Sequence, residues 1–230
     1  MGGLFSNNND KEKPLKIYTF GDSVLDCGRY NEFDIHPGKL LIENNDDIFP
    51  EFKGKTLTNM LNTSTELYHL AIDGSESCVM YRQAKEFSKF HTKEDNAMAI
   101  ITIGGNDLLD GMARDSEKIK QFEEYLTNFL EEIAIRPVFI GTIYDPTLND
   151  DKLNFIGGDP KILRENHKKA NDVITKLGKK YGDVVDIHDH YIKKGSYDWF
   201  CNIIEPSLVG ASEIRRCYLE AIVNYYEKNK

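Results

Sequence analysis

The chain has 230 residues, 40% of them hydrophobic, which is enough to bury a sizeable core in one large α/β domain. A formal net charge of −9 argues against nucleic-acid binding and indicates an acidic, solvated surface. Four scattered cysteines without a C-x-x-C pair, and no apolar run near the ~20 residues that span a bilayer, predict a cytoplasmic protein without stable membrane insertion.

The first segment, residues 1–14, is predicted to be a flexible leader, followed by a single domain over residues 15–230. The leader lacks the basic start and the long apolar core of a secretory signal. It begins MGGLFS, which fits the loose M-G-x-x-x-[ST] pattern for myristoylation of Gly2. Two interpretations stay open: an unmodified leader, or one acyl chain that would bind membranes only weakly.

Short apolar runs, rich in β-branched and aromatic residues, predict buried parallel strands. They are Lys16–Phe20, Leu67–Ile72, Met98–Ile103, Pro137–Ile143 and Asp183–His188. Helical patterns fall between these runs. One has apolar residues three and four apart, at Ile119, Phe122, Leu126, Phe129 and Ile133.

A second helix is predicted to begin at Asp159 as the N-cap, with Pro160 at the first helical position and Gly182 past its end. A closing helix is predicted around Ile214 and Cys217. The alternation of strands and helices predicts a doubly wound α/β fold with a parallel sheet.

In such sheets ligands bind beyond the carboxyl ends of the strands. Chemistry-bearing residues follow each predicted strand in turn. They are Gly21–Ser23, Gly74, Gly104–Asp107, Tyr144–Thr147, and the pair His188 and His190. The sequence therefore predicts one functional site at this edge of the sheet.

This series of blocks resembles the SGNH (GDSL-type) hydrolase superfamily over essentially the whole chain after the leader. The resemblance implies a flavodoxin-like three-layer α/β/α sandwich with a central five-stranded parallel sheet. It also implies a serine esterase that hydrolyses a small carboxylic ester, acyl or acetyl, through an acyl-enzyme on Ser23, with no cofactor and no metal. The Ser23 N–H, the Gly74 N–H and the Asn106 side-chain amide would hold the oxyanion. Asp22 and Asp107 are expected to hold the turns through backbone hydrogen bonds.

The last block departs from the superfamily pattern D-x-x-H-P-x-x-x-G. When Pro206 and Gly210 are aligned to its proline and glycine, Glu205 takes the place of the histidine and Asn202 that of the aspartate. The segments DCGRYN, FPEF, YDPT and IEPSL are similar to those of a smaller branch in which a glutamate replaces the histidine.

A glutamate with its reference pKa near 4.3 is a poor base for a serine hydroxyl, so Glu205 would need its pKa raised by burial. Asn202 could orient this carboxylate without repelling it. The rival base is His188 or His190, which the predicted fifth strand would deliver to the same edge. Arg29 could meet an anionic substrate group or Glu205, or form a surface salt bridge.

The long connection from Cys27 to Glu66 is predicted to form a lid that walls the pocket. Two alternatives to the esterase stay open: a catalytically silent module that binds an acyl or carboxylate ligand, and an acyl-anchored interaction protein built on the same scaffold. Retention of Ser23, Gly74 and Asn106 favours the esterase.

Overall fold

The computed structural model describes residues 13–93 and 95–229. Most of the predicted leader, with Gly2, lies outside the described residues. The strands, labelled β1 to β7, are Leu15–Gly21, Thr65–His69, Ala97–Thr102, Val138–Gly141, Gly182–Val185, Phe200–Cys201 and Glu205–Pro206. The helices, labelled α1 to α8, are Pro37–Ile42, Leu57–Leu61, Tyr81–Phe87, Gly105–Asp107, Lys118–Ile133, Pro160–Tyr181, Ile187–Lys194 and Leu208–Lys228.

The first five strands form a parallel sheet in the order β2-β1-β3-β4-β5. This is the flavodoxin-like strand order, so the fold predicted from the sequence is confirmed. The carboxyl ends of β1, β3 and β4 are adjacent in this order, which brings the segments that follow them together. The remaining strands, β6 and β7, form a separate antiparallel hairpin.

The core lies in two layers, one on each face of the sheet. Because side chains alternate along a strand, Ala99 and Ile101 of β3 face α3, α5 and α6. Met98 and Ile100 of the same strand face α1, α2, α7 and α8. Both faces of the sheet are covered, which is why its strands are apolar throughout.

The helix signals are confirmed: the Asp159 side chain accepts a hydrogen bond from the Lys161 N–H, and α6 ends where Gly182 begins β5. The predicted fifth strand is wrong in its second half. Asp186 ends the strand because its carboxylate accepts the Asp189 N–H at 3.0 Å and caps α7. His188 and His190 therefore lie on a helix.

The lid predicted between Cys27 and Glu66 is also wrong. This segment contains α1 and α2, and its side chains Leu41, Phe49 and Phe52 are buried against the last helix. Arg215 of α8 is fully buried, with its guanidinium 3.3 Å from the Phe52 ring centre. The segment is thus part of one helical layer, held there by apolar burial.

Candidate active site

Ser23 lies in the turn that directly follows β1. The turn begins at Gly21, where the backbone has a φ of 118° and a Cβ would lie 1.6 Å from the Thr102 carbonyl oxygen. Only glycine permits this close approach of β1 and β3. Ser23 is 7% exposed and lines an open cleft at the carboxyl edge of the sheet.

Within the described residues, two backbone N–H groups have no acceptor, one on Ser23 itself and one in the Gly74 turn, which is joined to the end of β1 by the Ile72 N–H donating to the Gly21 carbonyl at 3.0 Å. Among the described contacts, neither the Ser23 N–H nor the Gly74 N–H has an acceptor in the protein. Gly74 has a φ of 76°, which favours glycine in its turn. The Asn106 Nδ2 donates to the Ser75 carbonyl at 2.9 Å, which places its amide next to the Gly74 turn and uses one of its two N–H groups.

Gln83 ties these two regions together, although no sequence motif marked it. Its amide is 2% exposed and pairs with the Gly21 backbone, accepting the N–H at 2.7 Å and donating to the carbonyl at 2.8 Å. It also donates to the Ser75 hydroxyl at 3.2 Å. One helix residue thus holds the end of β1 against the Gly74 turn.

Asp22 and Asp107 hold the neighbouring turns by hydrogen bonds. Asp22 accepts the Thr102 hydroxyl at 2.8 Å and the Val24 N–H at 3.2 Å. The Asp107 Oδ2 accepts a hydrogen bond from the Ser77 N–H at 3.1 Å. Burial raises the pKa of Asp22 to about 7, against the lowering effect of its hydrogen bonds.

The hairpin β6–β7 carries Glu205 to the serine. Its tip is a tight turn in which Asn202 and Ile203 have φ values of 49° and 75°, and the Ile204 N–H donates to the Asn202 carbonyl at 2.9 Å. A positive φ at a β-branched residue costs on the order of 1–3 kcal/mol. Contacts elsewhere in the hairpin keep the backbone of this turn in its strained conformation.

The Glu205 carboxylate is half-buried and lines the same cleft as Ser23, near the serine side chain. Burial raises the pKa of Glu205 above its ordinary value of 4.5, the nearby Ser23 hydroxyl partly offsets this by lowering the pKa, and the charge of Asp73 raises it further. A raised pKa makes a carboxylate a stronger base.

Tyr144, at the end of β4, anchors the same hairpin. Its hydroxyl donates to the Ile204 carbonyl at 2.5 Å, one residue before Glu205. The ring is stacked on Tyr191 with centroids 4.7 Å apart and an interplanar angle of 9°. The position of Tyr144 after a strand was visible in the sequence, but its partner in the hairpin was not.

A polar group around Asp73 lies near enough to Glu205 for the Asp73 charge to raise the pKa of that carboxylate. The Asp73 Oδ2 accepts the Tyr30 hydroxyl and an Arg29 N–H, both at 2.8 Å. The Asp73 N–H in turn donates to Asp26 at 2.9 Å. Arg29 is therefore in a salt bridge with Asp73, although its side chain is 65% exposed.

The structure does not bring the rival histidines to the serine. The His188 Nδ1 is 3.1 Å from the Ile143 carbonyl, and the His190 Nε2 is 2.8 Å from a Glu213 carboxylate oxygen. Neither residue lines the cleft that contains Ser23. Across the described residues, no group of three or more His, Cys, Asp or Glu side chains is arranged to hold a metal ion.

Asn202, aligned with the superfamily aspartate, is exposed at the hairpin tip. No hydrogen bond of its side chain is present among the described contacts. Asparagine tolerates the left-handed conformation of this turn, which is a sufficient reason for its presence there. The structure thus gives Asn202 a place in the backbone turn and no contact with the Glu205 carboxylate.

A doubly wound α/β sheet with a serine at the end of its first strand, flanked by free N–H donors and a carboxylate, is typical of a class of serine hydrolases. Residues 17–200 match the model of the family described as GDSL-like Lipase/Acylhydrolase, and the chain belongs to this family. It is accordingly a hydrolase that acts on ester bonds. The matched residues end before Glu205. No curated protein matches the chain in sequence.

Several solved structures share the fold. Axe2, an acetylxylan esterase from Geobacillus stearothermophilus, is 16% identical with a TM-score of 0.64, over 91% of this chain and 94% of that one. The lipase/acylhydrolase from Enterococcus faecalis is 18% identical with a TM-score of 0.59, over 91% and 96%. The esterase EstA from Pseudoalteromonas sp., in a structure inhibited by monoethylphosphonate, is 16% identical with a TM-score of 0.61, over 92% and 98%.

Within the described ranges, no helix is both long and apolar enough to cross a bilayer.

Proposed function

We propose that the protein is a serine esterase that hydrolyses a small carboxylic ester through an acyl-enzyme on Ser23, with Glu205 as the general base. The observation that carries the proposal is that the Glu205 carboxylate lines the same cleft as Ser23 and lies close enough to the serine hydroxyl to have its pKa lowered by it. The half-buried carboxylate, with its raised pKa, replaces the histidine that most of the superfamily is expected to use.

In the acylation step, the Ser23 hydroxyl proton passes to Glu205 while the Oγ forms a bond to the carbonyl carbon of the ester. The carbonyl oxygen becomes an oxyanion, held by the N–H groups of Ser23 and Gly74 and by the free amide N–H of Asn106. As the intermediate collapses, the bond from carbon to the alcohol oxygen breaks. Protonated Glu205 then gives its proton to the departing alcohol.

In the deacylation step, a water molecule gives a proton to Glu205 and its oxygen bonds to the acyl carbon. The second oxyanion is held by the same three donors. When the bond to the Ser23 Oγ breaks, Glu205 returns the proton to the serine, and the carboxylic acid leaves. No cofactor takes part in this mechanism.

The test is labelling with an aryl-tagged fluorophosphonate, read by intact mass and by peptide mapping. Phosphonates react with an activated serine, and the related fold of EstA is found inhibited by monoethylphosphonate. We expect one adduct on Ser23 in the wild type and none in Ser23→Ala. A folded wild-type protein that stays unlabelled and hydrolyses no ester would contradict the esterase and indicate the silent binding module.

A further inference from the structure

The turn that carries Gly74 is held by hydrogen bonds before and after that residue. The Ile72 N–H donates to the Gly21 carbonyl at 3.0 Å, and the Ser75 N–H closes the turn on the Ile72 carbonyl at 3.1 Å. Of the four backbone N–H groups of residues 72–75, that of Gly74 is the one for which the described contacts give no acceptor.

Asp26 supplies the hydrogen bond directly before Gly74. Its Oδ2 accepts the Asp73 N–H at 2.9 Å, although the two residues are 47 positions apart in sequence. Asp26 lies three residues after Ser23, and its own N–H donates to the Asp22 carbonyl at 3.1 Å. The Asp26 carboxylate therefore joins the segment that carries the serine to the turn that carries the free N–H.

The other oxygen of Asp26 is restrained by His69, the last residue of β2. The His69 Nε2 lies 3.3 Å from the Asp26 Oδ1, and its Nδ1 lies 2.7 Å from the hydroxyl oxygen of Thr19, which is fully buried in β1. The His36 ring lies against the His69 ring, with centroids 4.0 Å apart. Because both of its oxygens have partners, the Asp26 carboxylate is restrained from rotating away from the turn.

The segment DCGRYN, residues 26–31, also holds the side chain of Asp73. Arg29 and Tyr30 each donate to the Asp73 Oδ2 at 2.8 Å. The Arg29 side chain is 65% exposed, so its ion pair contributes little to stability. Together with the carboxylate at the start of the segment, these contacts converge on the one residue that precedes Gly74. This convergence indicates that the segment places the turn.

An oxyanion donor is effective when it is in position before the negative charge develops, because no reorganisation is then needed during the reaction. An N–H that already has an acceptor would have to give it up, and an N–H on a loose turn would have to be ordered. The Gly74 N–H meets both requirements, since it is free while its neighbours are bonded.

We propose that Asp26 is a positioning residue for catalysis: through the Asp73 N–H, its carboxylate holds the Gly74 N–H where the oxyanion forms. Asp26 does not line the cleft, so it acts through the turn and not by contact with the ester. It acts by the placement of its oxygens and not by its charge. This inference rests on the esterase function proposed above and adds to it a residue that prepares one oxyanion donor.

The test measures kcat and KM for p-nitrophenyl acetate in three variants of Asp26. Asp26→Ala removes the acceptor, and we expect kcat to fall by about 10–100-fold with KM nearly unchanged, because the donor acts in the transition state. Asp26→Glu keeps the charge but moves the oxygens by one methylene, and kcat should fall by about tenfold.

Asp26→Asn removes the charge but keeps the geometry. Its amide oxygen accepts the Asp73 N–H, and its amide N–H donates to the His69 Nε2. The Thr19 hydroxyl can donate or accept, so His69 can carry its proton on either nitrogen. We expect kcat of Asp26→Asn to stay within about threefold of the wild type.

The matched control is Asp95→Ala, at the opposite edge of the sheet, before β3 begins at Ala97. The Asp95 carboxylate likewise accepts a backbone N–H, from Thr92 at 2.8 Å, and a side-chain donor, the Lys16 Nζ, at 2.9 Å. We expect urea unfolding to show a loss of stability in both alanine variants, and kcat to fall only in Asp26→Ala. An equal fall of kcat in both would contradict the inference.

Three further results would overturn it: wild-type kcat in Asp26→Ala, a loss that appears wholly in KM, or an Asp26→Asn variant as slow as Asp26→Ala. If Asp26→Ala does not fold, the other two variants decide, and wild-type kcat in Asp26→Glu contradicts the positioning role. Fluorophosphonate labelling of Ser23 separates the two proposals. A wild type that is neither labelled nor active contradicts the esterase, and this inference with it. A labelled, active wild type whose kcat is matched by Asp26→Ala contradicts only the role of Asp26.

Discussion

Replacing Tyr144 with phenylalanine removes one hydroxyl and keeps the ring that stacks on Tyr191. The hydroxyl donates to the Ile204 carbonyl at 2.5 Å and is 60 residues away from it in sequence, so it is a long-range restraint on the hairpin. Because Tyr144 is 8% exposed and Ile204 is half-buried, the change leaves the Ile204 carbonyl without this donor in a partly buried position. We expect Tyr144→Phe to lower the free energy of unfolding by about 1–3 kcal/mol.

The same change should lower kcat more than a purely structural loss would. Glu205 follows Ile204 in a strained turn, and a misplacement of about 1 Å in a catalytic group can reduce the rate on the order of 100-fold. We expect kcat for p-nitrophenyl acetate to fall by about 10–100-fold with KM nearly constant, and the rate of Ser23 phosphonylation to fall in parallel.

The assay compares Tyr144→Phe with Tyr197→Phe, whose hydroxyl donates to the Thr147 carbonyl at 3.3 Å from a residue that is 54% exposed. Urea unfolding gives the stability of each variant, and steady-state kinetics give kcat and KM separately. If Tyr144→Phe is less stable but keeps the wild-type kcat and phosphonylation rate, the hydroxyl supports the fold only. The argument that it positions Glu205 would then be refuted.

Three further predictions concern other parts of the chain. Asn106→Ala should lower kcat by about 10²–10³-fold with little change in KM, and a loss that appears wholly in KM would place Asn106 in substrate binding. Asp22→Asn should become more stable relative to the wild type as the pH rises from the ordinary aspartate pKa of 3.8 to about 7, because over this range the folded wild type keeps a proton that the unfolded chain has lost. Urea unfolding at about pH 5 and about pH 8 checks this, and identical pH dependences would contradict it. Deleting Met1 to Asn9 should leave activity intact, since β1 begins only at Leu15, and a loss of folding would extend the domain into the leader.

The sequence was sufficient for the fold because apolar periodicity and helix caps are local signals. The buried run of β1 and the N-cap at Asp159 are both where they were predicted. The fifth strand was overextended, since the apolar pattern around Ile187 serves a buried strand and a buried helix face equally well. The capping of α7 by Asp186 decides for the helix.

The site was predictable only to the extent that its residues follow strands. Ser23 and Asn106 follow β1 and β3, which are neighbours in the sheet, so both lie at its carboxyl edge. The sequence pattern limits the possible strand orders and so makes this placement predictable. The contacts that hold the site are long-range pairs, such as Gln83 with Gly21 and Tyr144 with Ile204, 62 and 60 residues apart. Nothing in the local sequence specifies such pairs. For the same reason the supposed lid could not be recognised as a packed layer.

The most direct test of the central claim is kcat/KM of Glu205→Gln as a function of pH, measured beside His188→Ala and His190→Ala. Glutamine keeps the shape and the hydrogen-bonding capacity of Glu205 but cannot accept the serine proton. We predict that Glu205→Gln is slower by about 10²–10⁴-fold and that both histidine variants stay active. Wild-type activity should be lost as the pH falls through a value above the ordinary glutamate pKa of 4.5, because burial raises the pKa of Glu205. An active Glu205→Gln together with an inactive histidine variant would contradict the account.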